Sequence, residues 1–351
     1  MSEAIATLKI HRLDRHHAAD AARWDAFVQA CSQATFFHRS GWQTLIEDVF
    51  QHNTYFLYAE AGGEIRGVLP LGHVKSRLFG NALSSLPFSV YGGVAAVDEE
   101  AAVALEREAQ HLAQRLGVDH LELRNVQRRH ADWPSQDLYV TFRKPIAPTE
   151  DENLQAIPRK QRAMVRKGIK NGLTSQIDVT ADRFFALYAD NVHRHGTPAL
   201  PKAYFNGLCR VFGSDCEVLT VCATDGRPVS SVLSFYFRDE VLPYYAGDAE
   251  AARELAANDF KYWELMRRAC ARGLKVFDYG RSKQNTGSYA FKKNWGFEPM
   301  PLHYEYQLYK TDSVPQNNPS NAKYRLLIAT WRRMPIQLAN WLGPKIVRNL
   351  G

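Results

Sequence analysis

The strongest constraint on the fold is a long order of elements that the chain runs through twice. In the first pass, "NTYFLYAEAGGEIRGVLPLGHV" reads as two β-like runs around a Gly62-Gly63 turn. Extended chain follows as far as "SSLPFSVYGGV". A helix is expected from about Glu99 to Arg115, with Ala102, Leu105, Ala109, Leu112 and Leu116 on its apolar side and Gly117 ending it. The strand "VDHLELRN" closes the series at Arg124 and Asn125. In the second pass, "CEVLTVCATDGRPVSSVLSFYF" gives two runs around Asp225-Gly226, and "EVLPYYAGD" is the next strand. A helix from about Asn258 to Arg272 puts Tyr262, Trp263, Met266 and Ala269 on one side, and Gly273 stops it. "LKVFDYGRSK" then ends in Arg281 where the first pass ended in Arg124. Such a repeat implies two similar mixed α/β domains, and 351 residues suit two cores better than one. The polar stretch Pro148 to Gln155 is the expected joint. The expected division is 1–150, 151–310, and a tail 311–351 made of a polar linker and an amphipathic helix.

The order strand, turn, strand, strand, helix, strand is that of the acetyltransferase-like (GNAT) fold. The stretches "TFFHRSGW", "SSLPFSVYGGV", "IPRKQRAMVRKGIKNGL", "HGTP", "YYAGD", "NDFKYWELMRRACARG" and "FDYGRSKQNTGSYAFKKNWGF" run through most of the chain. In these stretches the sequence resembles the FemABX family of peptide-bond-forming transferases. Within it, the resemblance is greatest to the FemAB-related proteins of exosortase/PEP-CTERM systems in exopolysaccharide-producing bacteria. The resemblance implies two tandem GNAT-like domains and transfer of an activated acyl or aminoacyl group to an amine. The donor would be aminoacyl-tRNA, acyl-CoA or an acyl-carrier protein, with no tightly bound cofactor. The acceptor would be a glycan, nucleotide-sugar, lipid-linked or peptide precursor of exopolysaccharide or envelope. A different class also fits: an inactive GNAT-like scaffold of the same machinery, since fold alone does not establish chemistry.

The formal charge of +7 and pI of about 9.1 favour an anionic partner. "RKQRAMVRKGIK" gathers Arg159, Lys160, Arg162, Arg166, Lys167 and Lys170 with no acid among them. On a helix, Arg159, Arg162, Arg166 and Lys170 form one cationic ridge. Most charge runs are solvated faces. Six unopposed cations repel one another, however, and a phosphate-rich ligand such as tRNA relieves that repulsion.

The end of the last strand of the second pass holds the candidate centre. Asp278, on a largely apolar strand, is expected to be a structural hydrogen-bond acceptor. Arg281 lies beyond the apolar run, where it can meet a phosphate or carboxylate. "YAFKKNWGF" resembles the FemABX segment in which a lysine follows an aromatic and precedes an aromatic-Gly pair, and Lys292 is the matching lysine. A fixed ammonium there would stabilise the anionic tetrahedral intermediate of amide formation. A β-hairpin is expected to carry it, with Phe291, Trp295 and Phe297 in the core. Lys283, Tyr289 and Lys293 crowd the same segment as binding candidates, with Tyr245 from "YYAGD" and His195 from "HRHGTP". Asp248 is the first candidate for a base, and His193 and His195 are others. His38 and Tyr91, in the first domain, are candidates for seating the acceptor.

Two motifs are set aside. "RLFGNA" matches the loop that holds acetyl-CoA pyrophosphate, but "LSSLPFSV" follows it with no helical period. "HRHGTPALPKAYFNGLCRVFG" has no zinc-ligand spacing, so no metal is expected. No signal peptide or membrane-length apolar stretch is apparent, and five unpaired-looking cysteines suit a reducing cytosol. In the tail, Tyr324, Leu327, Ile328, Trp331, Leu338 and Trp341 are expected near one helical side, with Arg325, Arg332 and Arg333 away from it, and Pro335 bending or restarting the helix. That helix is expected to dock on the body. A basic helix with tryptophans also suits the inner face of the plasma membrane.

Overall fold

A computed structural model describes residues 7–76, 79–314 and 322–349, apart from the side chains of 322–327. The chain divides into two compact units: Met1–Asp137 with Leu302–Gln316 and Asn349–Gly351, and Leu138–Pro301 with Asn317–Arg348.

In the first unit the strands run Lys9–Arg12, Asn53–Ala61, Glu64–Ser76, Gly80–Ser85, His120–Asn125, His303–Leu308, Ser135–Gln136 across one sheet. Gly62 and Gly63, both at positive φ, make the hairpin turn between the second and third. Gly80–Ser85 and His120–Asn125 are parallel, and parallel neighbours need a crossover. The Glu99–Leu116 helix supplies it. Asp98 starts that helix by accepting the Ala101 N–H at 2.8 Å, and Gly117 ends it in the left-handed region. Leu105, Ala109 and Leu112 face Leu57, Leu69, Leu83 and Leu121 of the sheet.

The second unit repeats this plan. Its strand order is Ser282–Lys283, Tyr139–Pro145, Val276–Asp278, Glu240–Asp248, Pro228–Phe237, Cys216–Cys222, Thr174–Asp178. Again one pair is parallel, Glu240–Asp248 with Val276–Asp278, and the Ala257–Ala271 helix crosses between them. The Arg159–Lys170 helix lies on that helix. A methyl group added at Gly168 would fall 2.8 Å from Phe260 Cβ, so only glycine permits the approach. Phe142, Val221, Val232, Phe277 and Trp295 fill the core beneath.

The first sheet takes one strand from beyond the second unit's main run, and the second sheet takes one that precedes the expected joint. Tyr139–Pro145 pairs with Val276–Asp278 in the second sheet, and His303–Leu308 pairs with His120–Asn125 in the first. The expected boundaries at 150 and 310 therefore differ from the unit boundaries by about one strand each. The stretch Pro148 to Gln155 is not an open linker. Most of it is the Glu150–Ala156 helix, started by a capping box in which Thr149 and Glu152 satisfy each other's backbone N–H groups.

Two further expectations are corrected. The segment of Lys292 is a helix, Gly287–Asn294, not a hairpin. Thr286 accepts the Tyr289 N–H at its start and Gly296 follows at positive φ, so aromatics Phe291 and Trp295 share one helical side. In the tail the helix restarts at Pro335, as the proline allows, giving Ala322–Arg333 and Ile336–Val347. Their tryptophans do not share a side: Trp331 is buried, whereas Trp341 is 60% exposed. Tyr324, Arg325 and Leu327 carry side chains outside the described residues, as do Arg77 and Leu78 of "RLFGNA". The rest of that motif enters the Gly80–Ser85 strand rather than opening a helix.

Candidate active site

The parallel strands of the second unit pair only at Glu240–Val276 and Val241–Phe277. Beyond these, the Glu240–Asp248 strand continues against Pro228–Phe237 alone, and the shorter strand stops at Asp278. At that stop the chain turns. Asp278, 1% exposed, accepts the Gly280 N–H at 2.7 Å and the Thr141 hydroxyl at 3.3 Å, and Gly280 takes φ +64°. Asp278 is the structural acceptor that the sequence suggests.

The turn points three carbonyls at one ammonium. Lys292 Nζ donates to the backbone oxygens of Tyr279 at 2.7 Å, Gly280 at 2.9 Å and Arg281 at 3.1 Å. Its side chain is 7% exposed. Burial pushes its pKa down to about 7, with Asp278 opposing and Arg281 adding to the shift. Donating to three carbonyls at once uses all three N–H groups, so the geometry is that of the ammonium. In this arrangement its three donors tie the helix to the strand end. Tyr279, in the same turn, has a buried hydroxyl with no hydrogen-bond partner among the described residues. Burial, with Tyr262 and Asp259 nearby, raises its pKa well above the ordinary value.

Other members of the segment lie close by. Arg281 is exposed, its guanidinium 4.6 Å from the Tyr139 ring centroid. Ser282 and Ser288 share a hydroxyl hydrogen bond of 2.9 Å. Lys293 is exposed with its Nζ 6.0 Å from the Tyr289 ring, and Lys283 and Tyr289 are half-buried.

Asp248, the first candidate base, is already engaged. Its Oδ1 accepts from Ser230 and from Lys261 Nζ, the latter at 2.9 Å, and Lys261 is fully buried. Two residues earlier on the same helix, Asp259 accepts the Trp295 indole N–H at 2.9 Å, and burial raises its pKa. Lys261, Asp259 and Tyr279 were not singled out from sequence. Lys261 had a readable signal, a lone lysine inside the aromatic run "FKYW".

Several candidates do not join this site. Tyr245 meets Tyr204 hydroxyl to hydroxyl at 3.2 Å, within a cluster of Tyr188, Phe205 and Tyr244. His195 is exposed at the end of the Asp182–Arg194 helix, where its carbonyl accepts from Arg332. His193 Nε2 bonds the Met334 carbonyl at 2.9 Å. In the first unit, considered by itself, His38 and Tyr91 are buried. His38 Nδ1 accepts the Thr35 N–H at 3.0 Å and its Nε2–H donates to Gly93 at 2.7 Å, and Tyr91 packs edge-on against Phe37. The equivalent strand end of that unit is filled by Arg124, which donates to Leu86 and Ser89 carbonyls and to Glu122.

The basic ridge is presented as expected. Arg159, Lys160, Arg166, Lys167 and Lys170 are exposed and Arg162 is half-buried. Among the described residues, no carboxylate lies within salt-bridge distance of any of the six. No group of metal-ligating side chains forms among the described residues.

Residues 159–293, which span the ridge, the network and Lys292, match the family model described as an acetyltransferase (GNAT) domain. The chain folds as two GNAT domains in tandem. The structure of FemX is similar, with a TM-score of 0.63 and 16% identity over 85% of this chain and 97% of that one. The C-terminal domain of a putative lysylphosphatidylglycerol synthetase from Agrobacterium fabrum gives 0.56 and 15% over 89% and 96%. A tandem GNAT protein of the clavulanic acid biosynthesis pathway gives 0.54 and 12% over 88% and 100%. Among curated proteins, none matches the sequence significantly.

Proposed function

We propose that the second GNAT domain transfers an activated acyl or aminoacyl group to an amine, with Lys292 at the reacting centre. The observation that carries this reading is a buried lysine whose ammonium is held by three carbonyls at the parted strand ends of a GNAT domain. Exchange of one carbonyl for a developing oxyanion would give the intermediate a preorganised ammonium. Arg281, Lys283, Tyr289 and Lys293 would bind around it. Direct attack by the acceptor amine needs no covalent enzyme intermediate.

For the donor, the unopposed ridge Arg159–Arg162–Arg166–Lys170 supports a polyanion, and the FemABX resemblance suggests aminoacyl-tRNA. Acyl-CoA fits the second domain less well. Its pyrophosphate would need the start of the Ala257–Ala271 helix, where Asp259 sits in the first turn and Lys261 is already paired with Asp248. For the acceptor, an amine on an envelope or exopolysaccharide precursor follows from the resemblance, and the exosortase setting rests on it alone.

The three carbonyl bonds also favour a second reading, in which Lys292 is a strut and the protein binds a polyanion without transfer. Mass spectrometry of ligands retained by the purified protein, then transfer assays with aminoacyl-tRNA and acyl-CoA pools, separates the two. Product from aminoacyl-tRNA supports the first reading. Tight tRNA binding with no transfer to any amine pool supports the second.

A further inference from the structure

The tail presents two unlike sides. On one, Trp331 is 8% exposed, and Ala339 and Gly343 are buried. A methyl group at Gly343 would lie 3.1 Å from the Ala199 carbonyl, and one at Gly196 would collide with Ile328. This side is docked. On the other, Leu338 is 44% and Trp341 60% exposed, one helical turn apart, and Lys345 Nζ stands 3.5 Å from the Trp341 ring centroid. An indole and an aliphatic side chain left in water on a helix that is otherwise well seated call for a partner.

Charge identifies the kind of partner. Residues 322–349 carry Lys323, Arg325, Arg332, Arg333, Lys345 and Arg348 and no Asp or Glu. Arg332, Arg333 and Lys345 are exposed. The segment 195–201, "HGTPALP", against which the tail rests, has no carboxylate either. Nearby on the Asp182–Arg194 helix, Asp190 is ion-paired with Arg194 at 2.9 Å. A tail rich in cations, with an exposed tryptophan that has a lysine over its ring, matches the interface of an anionic bilayer. There the indole sits at headgroup depth and each basic side chain meets lipid phosphate. No helix among the described residues is long and apolar enough to cross a membrane, so contact of this kind would be lateral.

We propose that the outer side of the Ile336–Val347 helix, through Leu338, Trp341 and Lys345 with Arg333, is a docking surface for an anionic lipid bilayer. The inference is independent of the transferase reading. Its test is flotation of the full chain with phosphatidylcholine vesicles, with and without about one third phosphatidylglycerol. The wild type should float with the anionic vesicles at low salt, stay behind with phosphatidylcholine alone, and be released as salt rises. Leu338→Ser with Trp341→Ser should cut the bound fraction roughly tenfold. Arg333→Glu with Lys345→Glu, which leaves both apolar residues in place, should do the same, and thermal melts should show each variant folded. Absence of flotation at low salt overturns the proposal, as does equal flotation by folded variants. So does flotation abolished by Arg159→Glu with Arg166→Glu but unaffected by the tail variants. A dimer by light scattering that becomes a monomer in the Trp341 variant would mean that a second copy covers this side, and would also overturn it.

Discussion

Lys292 carries a consequence for both rate and stability. If its ammonium stabilises an oxyanion, Lys292→Met should lower single-turnover transfer by roughly a hundredfold or more while donor binding changes much less. Lys292→Arg should rescue only in part, because a planar guanidinium cannot reproduce three bonds from one compact nitrogen. Unchanged turnover in a folded Lys292→Met protein would end the catalytic role. The stability effect has a definite sign. The folded pKa of about 7 lies below the ordinary 10.5, so between those values the unfolded chain binds more protons. Wild-type stability should therefore rise with pH across that window relative to Lys292→Met, by a few kcal/mol by pH 10. Denaturant melts of the two proteins at pH 6.5 and pH 9.5 measure it, and a constant difference would contradict the burial argument. The motif in "AFKKNWG" pointed to this lysine. The three carbonyls that hold it could not be read there, because they depend on how a turn at Gly280 faces a helix twelve residues later.

Helix Arg159–Lys170 is bound to the core through one side and leaves the other to solvent, and each side makes its own prediction. Gly168→Leu should push it away from Phe260 and lower stability by about 1–3 kcal/mol, the usual cost of overpacking, read from a thermal melt. Arg159→Glu with Arg166→Glu should leave the melt nearly unchanged, since exposed substitutions rarely matter to stability. The same pair should weaken tRNA binding and reduce the slope of log affinity against log salt by roughly two. Unaltered affinity and slope would make the ridge an ordinary solvated face. This helix was readable from its charge spacing. The Gly287–Asn294 helix was not read as one, although Thr286 and Gly296 stood in the sequence as its start and stop. Eight residues with three apolar or aromatic members fit a strand or a helix equally by period, and only the caps decide.

At the level of the molecule, the doubled order of elements foretold two GNAT domains, and the structure shows in each one parallel pair bridged by a helix. It could not foretell which sheet receives Tyr139–Pro145 and His303–Leu308, since an apolar strand pairs equally well with either edge until packing chooses. A fragment cut at the apparent joint, 151–310, would lack the strand beside Val276–Asp278 and carry His303–Leu308 with nothing to pair. It should be poorly soluble, and ultracentrifugation beside the full chain would show this; a monodisperse, cooperatively melting fragment would contradict the exchange. The same exchange reaches back to the ribosome. A domain made from one stretch of chain can finish folding as it emerges, but here the first sheet stays incomplete until residue 308 has left the exit tunnel. For the whole synthesis of the second domain, the nascent protein carries the edge of His120–Asn125 uncovered, and its late strand must be joined to that edge before another chain supplies one.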